Sequence, residues 1–312
     1  MTSLSRPNNG DLDGRALARV LGIDESALGT LAGGPISHAL AMSTFRPTDS
    51  PRQSFRVDLV GGTIRKIRRT LTAADASRMA AKTAMVGAGQ VSRVLSVHGN
   101  LVVEQWVEGT PLDGAAPSHD VLREAGVLLA RIHTADGVGR DDRSTASDLH
   151  DIRADLALLE RSGDLSPDHA CAILGAAAHH DPGTTAVALM HRDFCGENLV
   201  RRSDGSLCSV DNEDLCDGAP DADIVRAWQR WDLDGPARAA FLAGYTAIRR
   251  PRLDEGAIVF WSIWSRALSA RVRASVGDRV ATASHAAALV RLTDPRHAAG
   301  EARAVWTTAN AS

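Results

Sequence analysis

Three polar side chains in the segment HRDFCGENLV have the types and spacing needed to transfer a phosphoryl group. His191, Asp193 and Asn198 follow the apolar run 186–190, and Asp211 comes thirteen residues after Asn198, at the end of a strand predicted over 207–210. We expect Asp193 to meet the incoming hydroxyl and accept its proton. Asn198 and Asp211 offer hard oxygen ligands, which suit Mg²⁺ held together with nucleotide phosphates and water.

Supporting roles are predicted for other residues near this loop. His191 is expected to hydrogen-bond the loop backbone, in preference to acting as a general base. Arg192 could pair with a phosphate or brace the loop. Asp223, in the run DADIVRAW, is expected to cap the following helix and to fix the loop from behind. Cys195 could be a nucleophile, but it lacks a second histidine partner and is better explained as a small buried filler.

Lysine is rare in this chain, which makes its positions informative. Of 35 basic residues, only Lys66 and Lys82 are lysines. A retained lysine suggests a site that requires a compact ammonium group. Lys66 lies in the strand predicted after the Gly61-Gly62 turn, where it can reach phosphate oxygens, and Arg68 on the same strand face is the competing cation. Lys82 lies on a predicted helix and is interpreted as solvated.

The part of the chain before residue 109 is predicted to form a small sheet with one helix. Short β-like runs occupy residues 24–69, with a hairpin at the Gly61-Gly62 pair. A helix over 72–86 has Thr72 as its candidate N-cap, and a strand pair covers 95–107. Gly33 and Gly34 could let a strand turn approach phosphates closely, although an ordinary hairpin explains the pair equally well.

Beyond residue 113 the apolar residues recur at helical spacing, so this part is predicted to be mostly helical. Candidate helices cover 119–134, 148–161, 166–178, 220–232, 236–248, 254–274 and 280–292. We therefore expect an α+β fold with two lobes and a cleft between them. Residues 1–107 would form a small N-terminal β-sheet lobe that binds the nucleotide, with a hinge at about 104–109. Residues 108–312 would form a larger, mostly helical lobe with the catalytic loop and the acceptor site.

The composition is that of an ordinary globular protein. The 312 residues are 44% hydrophobic, which is enough to bury a core. The net charge of −3 gives no reason to expect nucleic acid or a membrane as a partner. The four cysteines share no C-x-x-C spacing and are interpreted as reduced thiols. No stretch is apolar enough to span a membrane, and the start has no apolar leader segment. We expect a cytoplasmic location.

The same residues resemble the aminoglycoside phosphotransferase and choline kinase group of protein-kinase-like small-molecule kinases. The specific parts are HRDFCGENLV and VDNE, and the looser parts are LAGGPISHALAM, LVVEQWVEG, GVLLARIH and DADIVRAW. The resemblance covers about residues 31–228. It implies a two-lobed protein-kinase-like fold, Mg²⁺ as cofactor, ATP or GTP as co-substrate and a small hydroxylated acceptor.

The resemblance also implies roles for individual residues. Asp193 would be the catalytic base, and Asn198 and Asp211 would be the Mg²⁺ ligands. The adenine would hydrogen-bond the backbone near residues 104–107. The residues expected to bind the nucleotide are Lys66, Gly33, Gly34, Ser37, Glu104 and Trp106.

One departure from the family pattern concerns the partner of the lysine. Members of this fold usually carry a glutamate on the helix after the lysine strand, whereas the only acid between Lys66 and Gly87 is Asp75. Asp75 could reach Lys66, the lysine could be positioned by other means, or Arg68 could be the relevant cation. The missing glutamate suggests one alternative function, a nucleotide-binding regulatory pseudokinase.

The predicted activity is that of an ATP- or GTP-dependent O-phosphotransferase acting on a hydroxyl of an antibiotic or of a sugar-like or amino-alcohol metabolite. Residues 249–312 carry ten arginines against five acids, unlike an acidic surface built for a polycation, although local negative charge could come from Glu213, Asp214, Asp217, Asp232 and Asp234. A neutral, singly charged or anionic acceptor is therefore as well supported. A metallohydrolase using His191, Asp193 and the pair His179-His180 is a further alternative, but it lacks an H-x-x-x-H spacing.

Overall fold

The computed structural model describes residues 12–42, 53–112, 117–137 and 141–306, the last six of these by their backbone alone. Residues 1–11, for which no apolar leader segment was predicted, lie outside the described part. The chain forms two compact units. The first unit contains the chain up to residue 109 and the short segments 202–204 and 208–213, and the second contains 110–201, 205–207 and the chain from 214 onward. No helix among the described residues is long and apolar enough to cross a membrane.

The first unit is built on a five-stranded antiparallel sheet. Its helices are α1 (Gly14–Leu21), α2 (Glu25–Ala32) and α3 (Ala73–Ala84), and its strands are β1 (Ile36–Ala41), β2 (Gln53–Leu59), β3 (Ile64–Arg69), β4 (Val94–His98) and β5 (Leu101–Gln105). The strand order is β1-β2-β3-β5-β4. One sheet face packs on α1 and α2 through residues such as Ile67 and Val103, and on the other face Val102 packs on α3.

The predicted hairpin at Gly61 and Gly62 is confirmed, and it sets the direction of the β3 side chains. Both glycines adopt positive φ angles, 100° and 86°, which side chains disfavour. Because successive side chains of a strand point to opposite faces, Ile67 enters the core while Lys66 and Arg68 lie on the other face. The pairing of β3 with β5 places Lys66 opposite Glu104.

The expectation of β structure from residue 24 onward is wrong for residues 25–32, which form α2. Asp24 caps this helix by accepting a hydrogen bond from the Ser26 amide at 2.8 Å. Gly33 ends it with a left-handed φ of 87°, its amide bonded to the Gly29 carbonyl. Gly33 and Gly34 therefore terminate a helix and do not form a strand turn. The connection between β1 and β2 falls on residues 43–52, outside the described part.

The second unit is mostly helical, and all seven predicted helices are present in it. Its helices are α4 (His119–His133), α5 (Ala146–Arg161), α6 (Pro167–His179), α7 (Pro220–Arg230), α8 (Gly235–Thr246), α9 (Glu255–Ser275), α10 (Arg279–Arg291) and α11 (Pro295–Trp306). The sequence analysis did not predict α11, nor α1 in the first unit.

Short strands separate these helices: β6 (Thr110–Pro111), β7 (Arg143–Ser144), β8 (Thr184–Thr185), β9 (Ala188–Met190), β10 (Leu199–Arg201), β11 (Leu207–Ser209), whose end belongs to the first unit, and β12 (Cys216–Gly218). β9 pairs with β12, and β10 pairs with β6. Helices α4 and α8 cross closely, and Gly126 and Gly244 make this possible because they have no side chain. A Cβ atom at Gly126 would collide with the Phe241 carbonyl, and one at Gly244 with the Arg123 carbonyl. This crossing fixes the ends of α4 and α8 that carry His133 and Tyr245.

Candidate active site

The segment after β9, which we call the Asp193 loop (residues 191–198), is held from behind by Asp223 of α7. The prediction that Asp223 caps this helix is wrong, because α7 begins at Pro220 after Ala219 and Asp223 is its fourth residue. The Asp223 carboxylate accepts hydrogen bonds from the backbone amides of His191 at 2.6 Å and of Arg192 at 2.8 Å. Arg192 has a left-handed φ of 67°, and its carbonyl accepts a hydrogen bond from Arg226. Strained backbone of this kind persists only where its surroundings hold it, and here both peptide groups of Arg192 are held.

Asp223 is in turn held by a buried chain of side chains. His133 Nε2 lies 3.1 Å from Asp223 Oδ2, and His133 Nδ1 lies 2.7 Å from the Tyr245 hydroxyl. Burial lowers the pKa of His133 and raises that of Tyr245, so the ring is neutral and the phenol is protonated. Burial alone would raise the pKa of Asp223, but the hydrogen bond from His133 helps to lower it. Tyr245 therefore donates to His133, and His133 donates to the Asp223 carboxylate.

Both oxygens of the Asp193 carboxylate are fixed by neighbouring side chains. Arg230 Nε donates to Oδ1 at 2.8 Å, and Asn198 Nδ2 donates to Oδ2 at 3.1 Å and to the Asp193 carbonyl at 2.8 Å. Arg226 Nη2 lies 3.7 Å from Oδ1. Because the amide nitrogen of Asn198 is committed to Asp193, its carbonyl oxygen is the atom that can meet a cation. Each oxygen of the Asp193 carboxylate retains further acceptor capacity.

The remaining side chains of the Asp193 loop anchor it in the second unit. His191 is buried, and its Nδ1 accepts a hydrogen bond from the Asp193 amide at 3.3 Å. The buried Phe194 ring makes edge contacts with His191 and with Trp231. Burial, reinforced by Asp193, raises the pKa of Cys195 to about 11, so its thiol remains protonated. This supports the interpretation of Cys195 as a buried filler.

In the first unit, the residues 209–213, which we call the Asp211 turn, present a carboxylate to the cations of β3. Lys66 Nζ lies 3.2 Å from Asp211 Oδ1, and Arg68 Nη2 also contacts this oxygen. Asp211 has a left-handed φ of 62°. Burial alone would raise its pKa, but Arg68 and then Lys66 outweigh that effect and hold the pKa far below its usual range. Asp211 is therefore ionised at neutral pH.

The structure gives neither Lys66 nor Arg68 a glutamate partner from α3. Asp75 caps α3 together with Thr72 and pairs with Arg78, so it does not serve Lys66. The buried Glu104 of β5 pairs instead with Arg68, whose Nε lies 3.1 Å from its Oε1. The Glu104 side chain is thus committed within the protein, and any contact it makes with a nucleotide would come from its backbone.

The other predicted nucleotide residues are dispersed within the first unit. The Ser37 hydroxyl donates to the Asp58 carbonyl at 2.8 Å. The Trp106 ring lies 5.2 Å from the guanidinium carbon of Arg56 and lines a cavity of about 690 Å³. Lys66, Gly33, Gly34, Ser37 and Glu104 do not line that cavity. The structure thus brings Lys66 together with Asp211, and Asp193 with Asn198, but it does not gather the whole predicted nucleotide set.

Each unit offers an oxygen atom of the kind that magnesium prefers. In the second unit this atom is the carbonyl oxygen of Asn198, and in the first unit it is the ionised carboxylate of Asp211. Among the described residues, no group of three or more His, Cys, Asp or Glu side chains could hold a metal ion. The metallohydrolase alternative therefore has no ligand set there, and His179 and His180 make an edge contact with each other.

A sheet unit with a lysine strand and an acidic turn, and a helical unit with an H-x-D-x-x-x-x-N loop, define a small-molecule kinase with a protein-kinase-like fold. The chain belongs to the phosphotransferase enzyme family (APH), whose model matches residues 49–255. It is a phosphotransferase that acts on small molecules. No curated protein sequence matches the chain significantly.

Solved structures share this fold at low sequence identity. A protein assigned as an aminoglycoside phosphotransferase from Ralstonia eutropha JMP134 has a TM-score of 0.64 and 16% identity, over 90% of this chain and 98% of that one. The choline kinase LicA from Streptococcus pneumoniae has a TM-score of 0.62 and 12% identity, over 77% and 89%. Spectinomycin phosphotransferase APH(9)-Ia, in complex with ADP and spectinomycin, has a TM-score of 0.58 and 11% identity, over 89% and 96%.

Several residues of the site were missed by the sequence analysis. On α7, Arg226 and Arg230 follow Asp223 at spacings of three and seven residues, which places all three on one helix face. That spacing was a usable signal for the arginines beside Asp193. His133 and Tyr245 lie 90 residues or more from their partners along the chain and carried no local signal.

Proposed function

We propose that this protein is an ATP-dependent O-phosphotransferase that moves the γ-phosphoryl group of ATP to a hydroxyl of a small molecule. The observation that carries the proposal is the geometry of Asp193. Arg230 and Asn198 fix its two oxygens at 2.8 and 3.1 Å, while acceptor capacity remains on both. Such a carboxylate can orient a hydroxyl and accept its proton without moving.

Each remaining polar residue then has a defined task. Asn198 and Asp211 would hold magnesium, which when bound neutralises and orients the phosphates. Lys66 would exchange its contact with Asp211 for a phosphate oxygen. Asp223, His191 and the backbone of Arg192 keep the Asp193 carboxylate in place. ADP bound to APH(9)-Ia supports ATP as the phosphoryl donor.

The charges beside Asp193 favour some acceptors over others. Arg230 and Arg226 lie 2.8 and 3.7 Å from Asp193 Oδ1, and the side chain of Arg230 is 25% exposed. These guanidinium groups would repel a polycation more strongly than a singly charged cation, and they would not repel a neutral or anionic acceptor. We therefore propose a hydroxylated acceptor with few positive charges, of the antibiotic, sugar-like or amino-alcohol type.

A turnover screen with Mg²⁺ and ATP tests this function. The panel should contain hydroxylated compounds in matched groups: polycationic, neutral, and carrying a carboxylate or phosphate. The expected result is a mass gain of one phosphoryl unit on a compound outside the polycationic group, lost in Asp193→Asn. Binding of Mg²⁺-ATP without transfer to any compound would favour the regulatory alternative.

A further inference from the structure

Arg68 of β3 joins three carboxylates from three different segments. Its Nε lies 3.1 Å from Glu104 Oε1 on β5, its Nη1 contacts Glu213, and its Nη2 contacts Asp211. The Arg68 side chain is 4% exposed and that of Glu104 is fully buried, whereas that of Asp211 is 41% exposed. The planar fork of arginine, with donors in fixed directions, is suited to such a bridge, and a lysine could not reproduce it.

A second set of contacts links Glu104 back to the Asp211 turn. The Ser92 hydroxyl donates to Glu104 Oε2 at 3.2 Å and accepts from Asn212 Nδ2 at 2.9 Å. Asn212 Oδ1 in turn accepts from the Ser209 hydroxyl at 3.1 Å. These side chains are buried. Ser209 and Asn212, on either side of Asp211 in the chain, are thus linked to Glu104 by hydrogen bonds through Ser92. The Asp211 carboxylate is itself linked to Glu104 through Arg68.

Lys66 and Arg68 differ in what they can do when a nucleotide arrives. Both donate a hydrogen bond to the same Asp211 oxygen, Oδ1. Within the described part of the chain Lys66 makes one ion pair, the one with Asp211, and it can exchange this contact for a phosphate oxygen. Arg68 is held by Glu104 and Glu213 as well, and moving it would leave the buried Glu104 carboxylate without its cation, which is costly.

We propose that Arg68 and Glu104 are the positioning pair of the nucleotide site: Glu104 fixes Arg68, and Arg68 holds the Asp211 carboxylate in the orientation that binds magnesium. This assignment rests on the function proposed above. The family pattern pairs the lysine of β3 with a glutamate on the following helix, and α3 has no glutamate. In this protein Arg68 of β3 pairs instead with Glu104 of the neighbouring strand β5. Arg68 and Glu104 do not touch the reacting atoms in this account.

The test measures how much magnesium strengthens ATP binding, by calorimetric titration of the full chain with ATP in the presence of MgCl₂ or of EDTA. We expect Arg68→Gln to reduce this enhancement roughly ten- to hundredfold, the usual effect of removing a residue that orients a metal ligand. Glu104→Gln should reduce it less, and Arg68→Lys should not restore it, because the ammonium keeps the charge but lacks the fork. Arg69→Gln is the matched control and should bind as the wild type does, because Arg69 lies on the opposite face of β3 from Arg68 and contacts Val20 and Gln53.

Thermal unfolding of each variant shows whether it is folded. If Arg68→Gln is folded and keeps the full magnesium enhancement of ATP binding, the assignment of Arg68 and Glu104 is wrong while the proposed function stands. If Arg68→Gln does not fold, the same result in both Glu104→Gln and Arg68→Lys overturns the assignment. A wild-type protein that does not bind ATP under either condition would overturn the proposed function and this assignment with it.

Discussion

The Asp193 loop and the Asp211 turn each contain a residue with left-handed backbone, yet the two segments are held in different ways. Arg192, with φ of 67°, is held through its amide by the buried Asp223, which is itself fixed by a neutral histidine, and through its carbonyl by Arg226. Asp211, with φ of 62°, is held through its side chain by two cations of β3. One segment is fixed by directional hydrogen bonds to the backbone, the other by ion pairs to a partly exposed carboxylate.

This difference fits the tasks proposed for the two segments. A general base must remain in one orientation through the reaction, and backbone hydrogen bonds inside a buried network provide that rigidity. A metal-binding carboxylate must change partners when the metal and nucleotide arrive. Ion pairs to a flexible lysine can be exchanged at low cost, because the lysine finds a new anion in the phosphate.

Breaking the backbone hold should have the largest effect on stability. Asp223→Asn removes the charge that accepts from two amides and from His133, and it places an amide nitrogen against buried donors. We expect a loss of about 3 kcal/mol in the free energy of unfolding, measured with denaturant, because the network is buried.

Asp221→Asn is the matched control for this prediction. Asp221 is also buried and lies on the same helix, but burial raises its pKa to about 6, and its carboxylate accepts a single amide hydrogen bond, from Arg252. Its replacement should cost clearly less. Equal losses in the two variants would contradict the special role of Asp223.

Weakening the same network one bond further out should have a smaller effect. Tyr245→Phe leaves His133 Nδ1 without the hydroxyl that lies 2.7 Å away, while the ring stays in place. We expect a loss of about 1–2 kcal/mol in the free energy of unfolding and a lower turnover with an unchanged KM for ATP. A raised KM for ATP with normal turnover would mean that the network serves the nucleotide and not the Asp193 loop.

The smallest effect on stability is expected from the exchangeable ion pair. In Lys66→Ala, Arg68 still contacts Asp211, so the free energy of unfolding should fall by about 0–1 kcal/mol. The KM for ATP should nevertheless rise about tenfold or more, because a charged contact to phosphate is lost. Lys82→Ala, the chain's other lysine, should leave this KM unchanged, and steady-state kinetics on the two variants check the contrast. Equal KM values in both would argue against Lys66 as a phosphate ligand.

How far the sequence alone could lead differs between the two segments. The Asp193 loop could be identified because His191, Asp193 and Asn198 are close in the chain, and because Asp223 lies in the first turn of a helix that the sequence also predicts. The seven helices from 119 to 292 followed from apolar periodicity over long stretches. The short α2 was missed because its eight residues include a glycine and its limits depend on the caps at Asp24 and Gly33.

The ion pairs of the Asp211 turn could not be predicted in the same way. Arg68 meets Glu104 and Asp211 over 36 and 143 residues of chain, and both pairs depend on strand register. A shift of one residue in the pairing of β3 with β5 would turn Glu104 to the other face of the sheet. The sequence therefore shows that α3 carries no acid besides Asp75. It could not show that Glu104 of β5 pairs with Arg68 instead.

In the proposed function Asp193 acts on the acceptor, whereas Asp211 serves the magnesium-bound nucleotide. The most direct test is calorimetric titration of Asp193→Asn and Asp211→Asn with ATP, with and without MgCl₂, beside a phosphoryl-transfer assay on the acceptor found in the screen. We predict that Asp193→Asn binds Mg²⁺-ATP as the wild type does but transfers no phosphoryl group, and that Asp211→Asn loses the magnesium enhancement of binding. Normal transfer by Asp193→Asn, or a full magnesium enhancement in Asp211→Asn, would contradict the account.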